Sequence, residues 1–337
     1  MLRRLILLLC LGLPALTLGA DANPAQPLRL LMVLWRGETP AEQGFIDELR
    51  RQRVAVAITR IDAAQNRAQL AQQFWAMGAR ILAYDAIYSF GTTASVMTRS
   101  IVRGRVLQLY SMVSDPQEAG LVAGAGEAPL TGTTDAIAAE LKLRTAQQLF
   151  PIRHIGFLFN ARERNARVQL EEMERLCGQL GIALSVLRVA PESSSLEKQL
   201  RRLQQDPTQF DTLFLPSDSY LISQSATIMA ALAHTPYRVF GATDGFVRDG
   251  ALLAVAPDYP ALGRRLAQRL IALTRTATGS SPQGNSHQGN SHQGQQPPQD
   301  LSPIGVERAQ ILYNERTRAR LGIEFPATLR TQMTPIR

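Results

Sequence analysis

The chain has 337 residues, 45% of them hydrophobic, which is enough to bury one large core or the cores of two ordinary domains. The formal net charge is +8, but the arginines are spread along the chain with acids between them, only two residues are lysine, and no basic run carries aromatic side chains. The charge therefore indicates a solvated basic surface and argues against a nucleic-acid interface.

The first 22 residues have the three-part pattern of a secretory signal peptide. Arg3 and Arg4 precede an apolar stretch, and Ala20 and Ala22 form a small-residue cleavage pattern, so cleavage is expected after Ala22 or, as a second choice, after Ala20. The apolar run of about 15 residues is short for a membrane span. The pattern therefore predicts an exported protein.

Removal of that segment leaves a single cysteine, Cys177, which cannot form an internal disulfide. Met173, Leu176 and Leu180 share its face of a predicted helix. This pattern predicts that the thiol packs in the core and has no catalytic role.

From Leu28 the chain alternates short apolar runs with amphipathic stretches. The first series places the helices PAEQGFIDELRRQ, NRAQLAQQFWAMG and TTASVMTRSIV between the strands LRLLMVLW, VAVAITRI, RILAY and RVLQLY. Strands that are apolar almost throughout and alternate with helices are typical of parallel sheets covered on both faces.

The same rhythm restarts at the helix DAIAAELKLRTAQQLF and continues through the strands HIGFLF, IALSVLRV, DTLFLP and YRVFGA. A further strand, ALLAVA, and helix, YPALGRRLAQRLIALTR, follow, and AQILYN with ERTRARLG closes the pattern. The two series predict an α/β fold with two Rossmann-like parallel-sheet lobes. We expect residues 28–132 and 245–276 in the first lobe and residues 133–244 and 303–326 in the second.

The stretch 276–300 has a different composition and contains the short repeat GNSHQGNSHQG. Gly, Ser, Gln, Asn and Pro bury too little surface to offset the entropy of ordering, so a disordered low-complexity loop is expected. His287 and His292 lie in it, but two histidines are fewer ligands than a metal site usually has. No metal site and no cofactor are expected.

Polar side chains follow the predicted strands at the end where open parallel sheets bind ligands. Small hydroxyls, an amide, carboxylates and aromatic rings recur there, which suits a hydrogen-bonding cleft for a small molecule, and Tyr88 and Phe246 could add apolar walls. The carboxylates of Asp218 and Asp244 would suit a ligand ammonium or ligand hydroxyls. The candidate ligand-binding residues are Trp35, Arg36, Ser89, Gly91, Thr92, Thr93, Ser114, Asp115, Asn160, Ser217, Asp218, Tyr220 and Asp244.

Helix capping is an alternative for each of these positions, because Ser, Thr, Asp and Asn are the preferred N-caps. Capping and binding also coexist, since the free N–H groups of a helix N-terminus at 91–93 can hold a ligand carboxylate. An enzyme is not expected. The sequence has no G-x-S-x-G or H-E-x-x-H motif, and GLVAGAGEAPLTG lacks the spacing of a dinucleotide-binding loop.

The order and spacing of several stretches resemble the substrate-binding proteins of ABC transporters with the type I periplasmic binding protein fold, in the branch with members that bind aromatic amino acids. The resemblance covers 28–326 and depends on QGFIDEL, VSDPQEAGLV, LTGTTD, IGFLFN, LFLPSDS, VFGATDGFVRDGAL, DYPALGR and ILYNERTRARLGI.

This resemblance implies two lobes joined by a multi-strand hinge that close on a small molecule, a periplasmic location, a monomer, and a membrane permease as partner. It leaves open a second role for the same fold, in which a periplasmic sensor presents its ligand to a membrane receptor or kinase.

Overall fold

The structure, a computed structural model, describes residues 26–277 and 301–336. The predicted signal peptide (1–22) and almost all of the predicted loop (276–300) lie outside the described residues. Within these ranges, none of the helices combines the length and the apolar character that crossing a membrane requires.

A five-stranded, wholly parallel sheet organises the first lobe, with strand order β2-β1-β3-β4-β5. The helices that connect its strands pack on both faces, so β1, β3, β4 and β5 are mostly buried, whereas the edge strand β2 is partly exposed. Its strands are β1 (Leu28–Leu34), β2 (Val56–Asp62), β3 (Ala86–Phe90), β4 (Leu107–Ser111) and β5 (Leu130–Gly132), with helices α1 (Pro40–Arg51), α2 (Arg67–Met77) and α3 (Thr92–Val102).

A seven-stranded sheet organises the second lobe, with strand order β12-β11-β10-β9-β8-β6-β7, and it is parallel except between β10 and β11. Its strands are β6 (His154–Asn160), β7 (Ala183–Val189), β8 (Thr212–Leu215), β9 (Arg238–Gly241), β10 (Leu253–Ala256), β11 (Gln310–Asn314) and β12 (Met333–Ile336). Its helices are α4 (Ala139–Leu149), α5 (Arg164–Leu180), α6 (Ser195–Gln205), α7 (Ser219–Ser223), α8 (Ser225–Leu232), α9 (Asp244–Asp249), α11 (Glu315–Arg320) and α12 (Ala327–Arg330), whereas α10 (Tyr259–Ala277) packs on the first lobe.

The predicted α/β fold with two parallel-sheet lobes is thus confirmed. Cys177 is a free, buried thiol that packs with Met173 and Leu176 in the core of the second lobe, also as predicted. Burial raises the pKa of this thiol to about 11, so it stays protonated and unreactive at neutral pH.

The third strand of the first lobe lies later in the chain than expected. RILAY, predicted as a strand, falls largely in a 3₁₀ helix at Gly78–Ala83, and the strand is Ala86–Phe90. The run AIYSF is buried at all five positions, so pairing in the middle of the sheet outweighs the apolar signal of the earlier run. The strand therefore ends two residues before α3, and only Gly91 separates them.

The assignment of 245–276 to the first lobe is wrong for β10. This strand pairs in parallel with β9, Leu253 beside Phe240, and antiparallel with β11, Leu253 beside Tyr313. The chain crosses to the first lobe only after β10. The remaining lobe boundaries stay a prediction.

Helix α10 packs against α1 of the first lobe at very short range. A Cβ added at Gly44 would lie 2.3 Å from the Pro260 carbonyl oxygen, and one added at Gly263 would lie 2.0 Å from that of Ala41. Two glycines that face the partner helix allow this approach, which explains the glycines of the QGFIDEL and DYPALGR stretches.

The described chain passes between the lobes at residues 133–138, 257–258 and 301–309. The first and third passages run side by side: Ile304 N donates to the Gly132 carbonyl and Thr134 N donates to the Ile304 carbonyl. These parallel segments leave a cleft between the carboxyl ends of the two sheets.

Candidate functional site

The cleft contains about 510 Å³ of empty space between the two lobes. Nearly every residue that lines it follows the carboxyl end of a strand or begins the helix after it, which is where parallel sheets place a ligand. The lining residues are Trp35, Arg36, Phe90, Gly91, Thr92, Thr93, Met112, Asp135, Glu163, Asn165, Ser217, Ser219, Ile222, Thr243 and Tyr259.

The N-terminus of α3 forms one part of this lining. Its N-cap is Gly91, which has φ +82° and no side chain that could cap the first turn. The leading N–H groups of a helix have no partner within the helix and carry a partial positive charge. Gly91, Thr92 and Thr93, all predicted from the sequence, line the cleft here; the Gly91 N–H donates to the Ser111 carbonyl at 2.8 Å, so the N–H groups that follow it in the first turn are the donors suited to a ligand carboxylate.

Arg36 lies beside that helix end, with its guanidinium carbon 5.4 Å from the centroid of the Phe90 ring. Trp35 packs against Gly91, since a Cβ added at this glycine would lie 3.4 Å from the Trp35 Cβ. The first lobe thus presents a cation, backbone donors and two aromatic rings at the same wall.

The apolar walls differ from those expected. Tyr88 and Phe246 are fully buried in the cores of the lobes and do not reach the cleft. Phe90 and Tyr259 take this place, together with Met112 and Ile222.

Glu163 is an acidic residue of the second lobe that lines the cleft, and it was not among the residues predicted from the sequence. Its Oε1 accepts from Ser219 N at 3.0 Å and from Ser219 Oγ at 3.0 Å, and its Oε2 accepts from Ser219 N at 2.9 Å. Burial raises the pKa of Glu163. The residue precedes α5, where it would be expected only as a first-turn acid, so the sequence alone carried no strong signal for it.

Asp218, which follows LFLPS, is a helix cap. Its Oδ2 accepts from Asn160 N at 2.6 Å and its Oδ1 accepts from Leu221 N at 3.1 Å in the first turn of α7. The residue is 0% exposed, and it does not line the cleft. Burial, and then the charge of Glu163, raise the pKa of Asp218 to about 8. Its neighbours Ser217 and Ser219 line the cleft instead.

Asp244 does not line the cleft either, although the residue before it does. Its carboxylate pairs with Arg248 at 2.7 Å on the outer side of α9. The preceding residue, Thr243, faces the cleft, is 4% exposed, and its hydroxyl has no hydrogen-bond partner among the described residues. An unpaired buried hydroxyl costs free energy unless a ligand or water satisfies it, so Thr243 points to a ligand contact.

A second cavity adjoins the cleft, with about 890 Å³ of empty space, and contains Ser114 and Asp115. Ser114 Oγ donates to Asp135 Oδ1 at 2.9 Å, and the Asp115 carboxylate accepts from Glu118 N at 2.9 Å. Asp135 lines both spaces, so its remaining oxygen is available at the boundary between them.

Three predicted residues lie elsewhere. Ser89 is buried within β3 and accepts from Gln108 Nε2 at 3.1 Å, so it is part of the sheet and not of the site. Asn160 and Tyr220 line a wider opening of the cleft. Asn160 Oδ1 caps the turn after β6 by accepting from Arg162 N at 3.0 Å.

The structure therefore brings together six of the predicted residues in the cleft, Trp35, Arg36, Gly91, Thr92, Thr93 and Ser217, and places Asn160 and Tyr220 at its wider opening. Within the described ranges, no group of three or more His, Cys, Asp or Glu side chains is arranged to hold a metal ion.

Comparison with known proteins gives a family. A model described as ABC transporter substrate binding protein matches residues 38–282. No curated protein matches the chain.

Solved structures share the fold at low identity. A conserved domain protein from Vibrio cholerae O1 biovar El Tor str. N16961 has a TM-score of 0.74 at 18% identity and covers 93% of this chain and 100% of that chain. An ABC domain in complex with L-Trp from Streptococcus pneumonia has a TM-score of 0.74 at 17% identity, with 92% and 100% covered. An ABC transporter periplasmic solute binding protein from Actinobacillus succinogenes 130z with bound D-allose has a TM-score of 0.56 at 10% identity, with 88% and 100% covered.

The family model spans most of the chain. The solved structures share the two parallel-sheet lobes of this protein. The resemblance expected from the sequence is confirmed: the chain belongs to the ABC transporter substrate-binding protein family and has the type I periplasmic binding protein fold.

Proposed function

We propose that this protein is the periplasmic binding component of an ABC importer and that its cleft binds an amino-acid-like zwitterion with a polar or aromatic side chain. The family supports the transport role. In this role the protein catalyses no reaction, acts as a monomer, and presents the ligand-bound, closed form to a membrane permease.

The charge arrangement of the cleft carries this proposal. Arg36 and the uncapped N-terminus of α3 lie in the first lobe, whereas Glu163 lies in the second. A ligand carboxylate is stabilised by the former and a ligand ammonium by the latter. An α-amino acid carries both groups, an ammonium and a carboxylate attached to the same carbon atom.

The aromatic lining supports the side-chain part of the proposal. Trp35, Phe90 and Tyr259 lie beside the polar groups, and Met112 and Ile222 extend the apolar surface. Rings of this kind pack well against an aromatic or extended side chain. An L-Trp complex among the structural neighbours shows that the shared fold accommodates such a ligand in another protein.

Ligand bridging explains how binding would close the lobes. The three passages between the lobes are short, and contacts from both lobes to one ligand favour the closed form over the open form. A ligand with only one charge would engage only one lobe and would shift this equilibrium less.

A thermal-shift screen of amino acids, sugars, purines and aromatic acids tests the ligand class. Binding to the folded state alone raises the melting temperature, so aromatic or polar amino acids should give the largest shifts. A decarboxylated amine of the same side chain is the matched control and should give a much smaller shift. A clear shift with a sugar and none with any amino acid would contradict the proposal.

The proposed periplasmic location depends on the predicted signal peptide. Expression of the full chain should yield a mature protein in the periplasmic fraction, whose mass matches cleavage after Ala22 or Ala20. A full-length product that stays in the cytoplasm would contradict the proposed location.

A further inference from the structure

The second cavity contains a buried cation that the proposed zwitterion site does not use. This cavity shares Thr92, Asp135, Asn165 and Ser217 with the cleft, so the two spaces adjoin. Lys142, in the first turn of α4, lines it from the second lobe. The chain has one other lysine, Lys198, which is exposed on α6.

Lys142 is 6% exposed, and its ammonium has no hydrogen bond or ion pair with any group in the described ranges. Burial lowers its pKa, while the charges of Asp135 and Glu172 act at longer range in the opposite sense. A largely desolvated charge without a direct partner is unfavourable, because it has lost part of its hydration and gained no counter-charge in contact. The position therefore favours a ligand that supplies one.

The other charged groups around this cavity are already engaged or solvated. Glu118 pairs with Arg164 at 2.6 Å, and the Asp115 carboxylate accepts from the Glu118 backbone. Asp135 accepts from the Ser114 hydroxyl. Glu172 is exposed on α5, so water screens its charge. Among the charged residues that line this cavity, Lys142 is the buried one without a direct contact.

We propose that Lys142 binds an acidic group at the far end of the ligand, so that the preferred substrates are amino-acid-like zwitterions that carry a second carboxylate. This inference rests on the proposed function, which places the α-carboxylate at Arg36 and α3 and the ammonium at Glu163. The side chain of the ligand then passes the boundary formed by Thr92 and Ser217 and ends at the Lys142 ammonium.

Pairs of ligands that differ only in the distal group test this inference. Isothermal titration with phenylalanine against 4-carboxyphenylalanine, and with glutamine against glutamate, compares a neutral and an acidic end in a long and a short ligand. The wild-type protein should bind the acidic member of at least one pair at least about tenfold more tightly. Lys142→Met should abolish this preference and leave the affinity for the neutral member within about twofold.

Two controls keep the result interpretable. Lys198→Met removes the exposed lysine and should keep the preference of the wild type. The melting temperature of ligand-free Lys142→Met should be equal to or higher than that of the wild type, because methionine fills the same volume without a buried charge.

The outcomes separate the two proposals. If the neutral members bind and the acidic members bind no more tightly, or if the preference survives in Lys142→Met, the inference about Lys142 is wrong and the proposed function stands. If no amino acid of either pair binds the wild type, both the inference and the proposed ligand class are wrong.

Discussion

The two walls of the cleft use their polar groups in different ways. On the wall of the first lobe, Arg36 and the N-terminus of α3 face the cleft with little internal hydrogen bonding. In the second lobe, Glu163 lines the cleft and accepts hydrogen bonds from Ser219, and the buried Asp218 accepts one from Leu221, so both acids hold the first turn of α7. The polar groups on the first wall thus have few partners within the protein, whereas the acids of the second lobe also maintain its structure.

This difference predicts which wall sets affinity and which one also sets stability. Changes in the first lobe should alter ligand binding with little effect on the free energy of unfolding. Changes at the buried acids of the second lobe should alter both, because their hydrogen bonds stabilise helix ends. Substitutions on each wall therefore test whether the two walls differ in their effects on affinity and stability.

The largest effect should be a dependence of stability on pH that originates in the second lobe. The pKa of Asp218 is raised to about 8 in the folded protein, well above that of an unfolded aspartate. Between roughly pH 5 and pH 8 the folded state then holds more protons than the unfolded state, so the free energy of unfolding falls as pH rises, by up to about 1.4 kcal/mol per pH unit.

Urea unfolding of the ligand-free protein across this pH range measures the slope. Asp218→Asn, which cannot ionise, should flatten it, whereas Asp249→Asn at an exposed position should leave it in place. A stability that rises with pH in the wild type would show that Asp218 is not protonated in the folded state.

Glu163→Gln should cause the largest loss of affinity. The amide keeps an oxygen for Ser219 but removes the charge that a ligand ammonium requires, so binding should weaken about 30-fold, or about 2 kcal/mol. Titration of the best amino acid from the screen measures this change. Glu197→Gln, at an exposed position on α6, is the control and should bind like the wild type. Unchanged affinity in Glu163→Gln would remove this acid from the site.

Arg36→Gln should weaken binding about tenfold, or about 1.4 kcal/mol, because the backbone donors of α3 still hold the ligand carboxylate. The melting temperature of the ligand-free variant should stay within the error of the wild type, as expected for the wall that only binds. Arg50→Gln, on the exposed face of α1, is the matched control. A large fall in ligand-free stability would contradict the distinction between the walls.

Thr243→Val should have the smallest effect, an approximately fivefold loss of affinity, or about 1 kcal/mol. The hydroxyl has no partner in the described residues, so its removal should not destabilise the ligand-free protein. Thr235→Val gives the opposite pattern, because the Thr235 hydroxyl donates to the Leu232 carbonyl at 2.8 Å and lies outside the cleft lining. Equal behaviour of the two variants would show that Thr243 does not contact ligand.

Residue patterns predicted some of the cleft-lining residues and misplaced others. Gly91 and Arg36 were predicted because a parallel sheet binds ligands at the carboxyl ends of its strands, and this edge is readable from strand order. Asp218 and Asp244 were predicted at the same edge, yet one caps α7 and the other pairs with Arg248. Within a turn, neighbouring residues point in different directions, and sequence position alone does not decide which one faces the cleft.

The alternation of strands and helices, the two-lobe α/β fold and the family could all be predicted from the amino-acid sequence. They depend on hydrophobic periodicity and on the order of motifs along the chain. Tertiary structure decided that β10 belongs to the second sheet, that AIYSF and not RILAY is the third strand, and that Glu163, Thr243 and Lys142 face the spaces between the lobes. The physical reason is that burial and side-chain direction depend on contacts between residues far apart in the chain, which local propensity does not contain.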